Sequence, residues 1–311
     1  MISFEEFSNY FVERAKDYMP KEYQGGEIVV SKYLKYNGQE LHSVCLQAPG
    51  QKIAPTLYLE DMYKCIRNGM SVNEVVEGFA NELIPDARHT PDFKTDDFRD
   101  FDKMKDKVYL HVVNRKGCRE LLSMHPYKVT GNLAKMYIME VAPNCGAKIS
   151  NELMAKWGVD VDLLDRVATQ NSVKDKGVNL QPLGLSMLFD TKSNLMDGIT
   201  PLDTQEIYVL RSNESPHGAV AMFYPEVMQG IANRQDSDFY IIPSSIHEVM
   251  LCSKKHSMLS ARELEDTLRT ANREVVSERE QLDNRIYEYD RETKEITIVP
   301  EAREKRKDIE R

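Results

Sequence analysis

QEIYVLRSNESPHGAVAMFYPEVMQGIANRQDSDFYIIPSSIHEVMLCSKK, residues 205–255, is the part of the chain densest in core-forming and in chemically capable side chains. Glu206–Leu210 is β-rich and runs into Arg-Ser-Asn-Glu-Ser-Pro-His-Gly, a cluster of turn formers. From Gly218 the apolar residues fall at Ala219, Val220, Met222, Phe223, Val227 and Ile231, nearer a period of 3.6 than of 2. That spacing predicts a helical region over Gly218–Ala232, broken near Pro225, which restarts it as a first helical residue. Asp238–Ile242 and His247–Cys252 read as strands around the turn Pro243–Ile246, and a hairpin closes them without a crossover helix. The fold class expected is α+β, with a mixed, mainly antiparallel sheet, flanking helices and an N-terminal helix plus hairpin.

The polar residues of this stretch are the functional candidates. For binding they are Asn213, His217, Ser244 and His247. For catalysis they are His247 as base, Ser244 or Ser245 as nucleophile, and Glu248 or Glu214 to orient the imidazole. Neighbours on a strand point to opposite faces, so Ser-Ser-Ile-His-Glu is poorly suited to triad geometry. Turn chemistry is the plainer account: the serines can bond nearby backbone, and Ser245 with Glu248 matches a capping box if a helix starts there. With His247 on a strand, the residue shares a face with Val249 and Leu251, and as a brace between the two turns its loss lowers the melting temperature by several degrees.

Residues Ile242 to Val249, preceded by Tyr208-Val209-Leu210 and Gly218-Ala219, carry a resemblance. The Pro-Ser-Ser-x-His-Glu string resembles an uncharacterised bacterial family, common in anaerobic gut Firmicutes, known as domain of unknown function 5688. The likeness extends through Asn151-Glu152-Leu153, Ala168 to Asn171, and Asn272 to Tyr289. A fainter likeness is to the YtpQ-like proteins. The resemblance implies a bacterial, cytoplasmic protein and brings no activity.

The whole chain sets bounds. Its 311 residues suffice for one large or two modest domains, and 41% hydrophobic with 29% charged residues is ordinary for a globular protein. A formal charge of -9 argues against a general nucleic-acid binder, which needs a basic face for phosphates. Five scattered cysteines, Cys45, Cys65, Cys118, Cys145 and Cys252, without a C-x-x-C, read as reduced thiols. No apolar run approaches the roughly 20 residues of a membrane span. The opening Met1-Ile-Ser-Phe-Glu-Glu lacks a signal peptide's basic region. These features place the protein in the cytoplasm, with an unidentified protein or small molecule as partner.

Along the chain, Ser3 with Glu6 opens a helix, and Asn37-Gly38 joins the strands Glu27–Tyr36 and Glu40–Leu46. Leu57–Ile66 and the segment from Ser71, capped with Glu74, are helical. The charged interval Pro85–Lys107 is a candidate boundary; its Asp96, Asp97, Asp100 and Asp102 miss the calcium-loop spacing. This divides the chain into a helix-hairpin-helix region over 1–90, a core over 108–300 and a tail over 301–311, or leaves one continuous domain. Asn114 caps a helix through Cys118–Met124; Asn179–Phe189 is helical or irregular; Arg273–Arg285 is a solvated helical face; Ile286–Tyr289 and Ile296–Val299 form a terminal hairpin.

No cofactor or metal is expected. Phosphate-cradling glycine motifs are missing, Leu251 stands where H-E-x-x-H needs its second histidine, and Gly184-Leu-Ser186 lacks the closing glycine of a nucleophile elbow. Cys252 and His256 lack a third ligand nearby. His42, His89, His111 and His125 stand isolated, and Trp157 is read as packing. Two functions remain: a binding module without catalysis, which is preferred, and a hydrolase.

Overall fold

Capping chemistry starts the helices that follow Ser3, Ser71 and Ser260 where the sequence predicts. In the computed structural model, the Ser3 hydroxyl accepts from the Glu6 backbone N–H at 3.2 Å and the Glu6 carboxylate accepts from that of Ser3 at 2.8 Å, opening α1 (Phe4–Arg14). The structure describes residues 2–35, 39–48, 54–84, 95–142, 145–188, 194–198, 200–213, 217–278 and 280–300. The chain divides into two compact units between Phe98 and Arg99.

The first unit holds α1, the strands β1 (Glu27–Leu34), β2 (Glu40–Gln47) and β3 (Leu57–Tyr58), and the helices α2 (Leu59–Arg67) and α3 (Val72–Ala80). β1 and β2 pair antiparallel from Glu27↔Gln47 to Leu34↔Glu40, as the hairpin reading expects, although Asn37-Gly38 lies outside the described residues. Leu57 and Tyr58 do not open α2 but pair with Val44 and Ser43, since Tyr58 is extended (φ -117°, ψ 126°). Phe7 and Phe11 meet Met62, Val75 and Val76 in a core closed to solvent, which makes these short helices stable.

The second unit begins with α4 (Phe101–Met104) and β4 (Val108–Asn114). α5 (Arg119–Met124), β5 (Tyr127–Thr130), β6 (Leu133–Ala142), β7 (Cys145–Lys148), α6 (Asn151–Trp157) and α7 (Val161–Asn171) follow. β6 pairs antiparallel with β4 on one side and with β5 and β7 on the other. On β6, Lys135 and Tyr137 both reach Asp165 of α7, at 2.7 and 3.1 Å. Asn114 does not cap α5. Its side-chain oxygen accepts from the Lys116 and Gly117 N–H groups, an Asx turn that competes with capping.

Next come β8 (Asn179–Pro182), α8 (Leu183–Leu188), β9 (Ile207–Arg211), a 3₁₀ turn over Gly218–Phe223, α9 (Pro225–Gln235), β10 (Phe239–Ile242) and β11 (Val249–Ser253). α10 (Ala261–Glu274), β12 (Tyr287–Tyr289) and β13 (Ile296–Ile298) complete the unit. Six strands form one antiparallel sheet in the order β13-β12-β10-β11-β9-β8. The fold is therefore α+β, and the expected three-strand unit with its terminal hairpin is present. The helical region breaks at Tyr224, and Pro225 opens α9, where its missing N–H costs nothing.

Three expectations change. Asn179–Phe189 splits into an edge strand and a short helix because its first residues pair with β9; Phe189 lies outside the described residues. α10 stops at Glu274, and much of Arg273–Arg285 is irregular, since the backbone of 280–283 is engaged elsewhere. His247 precedes β11, in the loop, so the face-sharing expected of a strand does not apply to it.

Cys45, Cys65, Cys118 and Cys252 are free thiols. Burial pushes the Cys118 thiol up to about 12, so it should react slowest in the folded protein. Rapid alkylation after denaturation is expected to label all five cysteines of the chain. Two missing thiols would reveal a disulfide or a metal. Among the described residues, no helix is long and apolar enough to cross a membrane.

Candidate functional site

The two polar turns singled out in the sequence meet, and backbone contacts join them. After β9, the Ser212 N–H donates to the Gly218 carbonyl (3.0 Å) and the Ala219 N–H donates to the Ile246 carbonyl (3.1 Å). The approach is close enough that a Cβ on Gly218 would stand 2.3 Å from the His247 carbonyl oxygen. Asn213 anchors the first turn from below: its N–H donates to the Lys176 carbonyl at 3.2 Å and its side-chain amide to that of Val178 at 3.3 Å. Glu214 lies outside the described residues.

The Pro243–Glu248 loop is held along its length by the chain that follows α10. Asp283 N–H donates to the Pro243 carbonyl, Leu282 N–H to that of Ser244, and Ile246 N–H to that of Glu280, at 3.1, 3.2 and 2.8 Å. Ser245 forms an isolated bridge with Gln281, and its hydroxyl accepts from the His247 backbone N–H at 3.2 Å. For Ser245 this is the turn chemistry the sequence predicts. The capping box does not form, because no helix starts there: the Glu248 carboxylate sits 3.8 Å from the Arg211 guanidinium.

Joining the turns brings three imidazoles into a row, two of them stacked and the third tilted. The rings of His217 and His247 lie 6.5 Å apart, only 18° from parallel, and the His111 ring lies 4.2 Å from that of His217. The row runs from the interior to the surface. His111 on β4 is 4% exposed, His217 is half-buried, and His247 has a 42% exposed side chain whose Nε2 is 3.4 Å from Glu280 Oε1. Burial holds His111 well below the usual imidazole range, helped by His217, Lys148 and Lys176. Burial, with a contribution from His247, brings His217 down to about 4. Two neutral rings therefore back a surface histidine that faces a carboxylate.

Strand register explains why His111 is not isolated, as its sequence context implies. Tyr109 pairs with Ile138, His111 with Met136, and Ile138 with Lys148, so Tyr109, His111, Lys148 and Glu140 share one sheet face. Lys176 pairs with Glu140 and lies over the Tyr109 ring, whose hydroxyl donates to Asp175 at 3.1 Å. Burial lowers Lys148 to about 8. The signal available in the sequence was the period-2 placement of Tyr109 and His111 within an otherwise apolar strand. Nothing local links them to Glu280 or Lys148.

The other singled-out residues have separate partners. His42 reaches Glu60 at 2.7 Å, His125 Nδ1 bonds the Ile149 carbonyl, and His256 bonds Thr204 rather than sharing a helix with Cys252. Trp157 is buried beside Phe101, and His89 is outside the described residues. Among the described residues no group of three His, Cys, Asp or Glu side chains is placed to hold a metal ion. The arrangement can present donors and acceptors to a partner at its outer end, where His247, Glu280, Glu248 and Arg211 are all partly exposed.

Comparison with known proteins adds one result. No curated protein and no solved structure matches the chain. The sequence model of the family described as "Family of unknown function (DUF5688)" matches residues 4–291, nearly all of the chain, and the protein belongs to that family.

Proposed function

We propose that the protein is a bacterial, cytoplasmic binding module without catalysis, recognising a protein or small molecule at the joined turns of Asn213–His217 and Ser244–Glu248. One observation carries this reading: the Ser245 hydroxyl is occupied with the loop's own backbone, while the His247 imidazole meets Glu280. A hydrolase needs the nucleophile's hydroxyl within about 2.6–3.2 Å of its base, and an orienting carboxylate on that base's other nitrogen. Glu248, one of the two orienting candidates, is turned to Arg211 instead. Hydrolysis by Ser244 or Ser245 with His247 is therefore the weaker reading. The likeness to the YtpQ-like proteins fits either one.

Native mass spectrometry of protein taken directly from cells tests the proposal by finding a retained ligand or partner. His247→Ala with Glu280→Gln is expected to abolish that retention. The His247–Glu280 pair is about half exposed on both sides (42% and 47%), and such pairs contribute only about 0–1 kcal/mol. The double variant should thus melt within roughly 3 °C of the parent, a smaller loss than a buried brace would give. Turnover of an ester or amide panel that disappears in Ser244→Ala or Ser245→Ala would put the hydrolase first.

A further inference from the structure

In the first unit, His42 Nδ1 stands 2.7 Å from Glu60 Oε1, a tighter pair than His247 with Glu280 at 3.4 Å. The chain path builds it. β3 ends at Tyr58, which pairs with Ser43, and the chain passes at once into α2. Glu60, in the first turn of that helix, therefore comes to lie beside the β2 position just before Ser43. There both carboxylate oxygens accept the His42 backbone N–H at 3.0 Å, and Oε1 also meets the ring. A carboxylate gripped by backbone cannot swing away from the imidazole. The Phe4 ring, 5.3 Å from that of His42 and backed by Tyr63, restricts rotation of the imidazole.

A carboxylate only accepts, so Nδ1 carries the proton and the neutral ring keeps its lone pair on Nε2. The side chain is 37% exposed, and among the described residues nothing bonds Nε2. This orientation makes an imidazole a nucleophile: the lone pair faces outward, and the carboxylate behind the ring stabilises the positive charge that builds as Nε2 forms a bond. The neighbouring serines cannot use the ring as a base. Ser31 and Ser43 lie on the opposite sheet face, where the Ser43 hydroxyl donates to the Ser31 carbonyl at 2.9 Å. Lys32 stands directly across from His42. Because the His42 N–H points to Glu60, these two form a non-hydrogen-bonded pair, in which side chains approach most closely. The Lys32 ammonium, 69% exposed and held only by the exposed Glu40, favours an anionic reagent over a metal cation.

We infer that His42 accepts a phosphoryl group on Nε2 from an acyl phosphate. The Nε2 lone pair forms the N–P bond as the P–O bond to the acyl group breaks, and that electron pair leaves on the carboxylate. The Nδ1 proton stays in its bond to Glu60. The product is a phosphorylated imidazolium paired with that carboxylate, and no further reactant is needed. This modification goes beyond the binding role proposed for the second unit and does not depend on it.

The test is incubation of the full chain with acetyl phosphate, then phosphorus NMR and peptide mapping under alkaline conditions that preserve phosphohistidine. The parent chain is expected to carry the label on His42, as the Nε2 isomer. Mapping on the parent does not depend on whether any variant folds. Glu60→Gln can still accept the Nδ1 proton through its amide oxygen but lacks the charge. It should label at least about tenfold more slowly and keep the Nε2 product. Lys32→Gln, at a largely exposed position, should melt like the parent and label more slowly. No label, label spread over other histidines, or acetylation in place of phosphorylation would overturn the inference. An unchanged rate in Glu60→Gln would do the same, leaving Glu60 as a brace for the His42 backbone N–H alone.

Discussion

Between pH 6.5 and 4.5 the protein is expected to lose much of its stability, through histidines that fold in the neutral form. In the unfolded chain each imidazole takes up a proton as the pH falls through 6.5, whereas folded His217 stays neutral until about pH 4. The unfolded state therefore binds more protons across this window, and stability falls as pH falls. Allowing for its partial exposure, His217 alone accounts for about 2–3 kcal/mol, or roughly 5–10 °C in a unit of this size. His111, fully enclosed and facing His217, Lys148 and Lys176, acts in the same direction.

Other groups titrate outside the window. The carboxylates held low by hydrogen bonds, such as Asp162, Asp236, Asp290 and Glu263, lose their contribution only as the pH falls below their ordinary values near 4. Lys148, depressed to about 8 by burial, costs stability while it is charged, and that cost is relieved as the pH rises above about 8. Melting temperature measured against pH for the parent and for His217→Gln checks this: the variant's curve should be flatter between pH 6.5 and 4.5. Parallel curves would mean that the buried imidazoles are not the source of acid sensitivity.

Gly218→Ala is expected to cost at least about 3 kcal/mol, among the largest effects available to one methyl group here. The added Cβ would meet the His247 carbonyl at 2.3 Å and both Arg211 Cβ and the Ser212 nitrogen at 3.1 Å. Two of these three neighbours are backbone atoms, so no side-chain rotation relieves the contact. Shifting either chain strains the Ser212–Gly218 and Ala219–Ile246 bonds, the same bonds that bring His217 and His247 together. Gly230→Ala in α9 is the control: nothing lies within 4 Å of its Cβ, and replacing a helical glycine gains up to about 1 kcal/mol. A Gly218→Ala protein melting within 2 °C of the parent would falsify the close-approach account of this turn.

The sequence by itself determined the local structure, because capping, turn formation and hydrophobic period act over a few residues. Ser3, Ser71 and Ser260 each bond the N–H three residues on, Gly158 ends α6 at φ +66°, and the alternation in 238–253 made a hairpin. Where local signals compete with tertiary pairing, sequence reading failed. Leu57–Tyr58 joined a strand, and within Arg273–Arg285, whose charges suit a solvated helical face, Glu280, Leu282 and Asp283 gave their backbone to the Pro243–Ile246 loop. The candidate site followed the same division. Asn213, His217, Ser244, Ser245, His247 and Glu248 stood out because they cluster in two turns. His111, Lys148 and Glu280 come from β4, β7 and the chain after α10, and strand register and loop packing alone bring them together. Only the tertiary structure decided that those turns meet and that His111, more than a hundred positions before His217, joins them, since such contacts depend on how the sheets are paired.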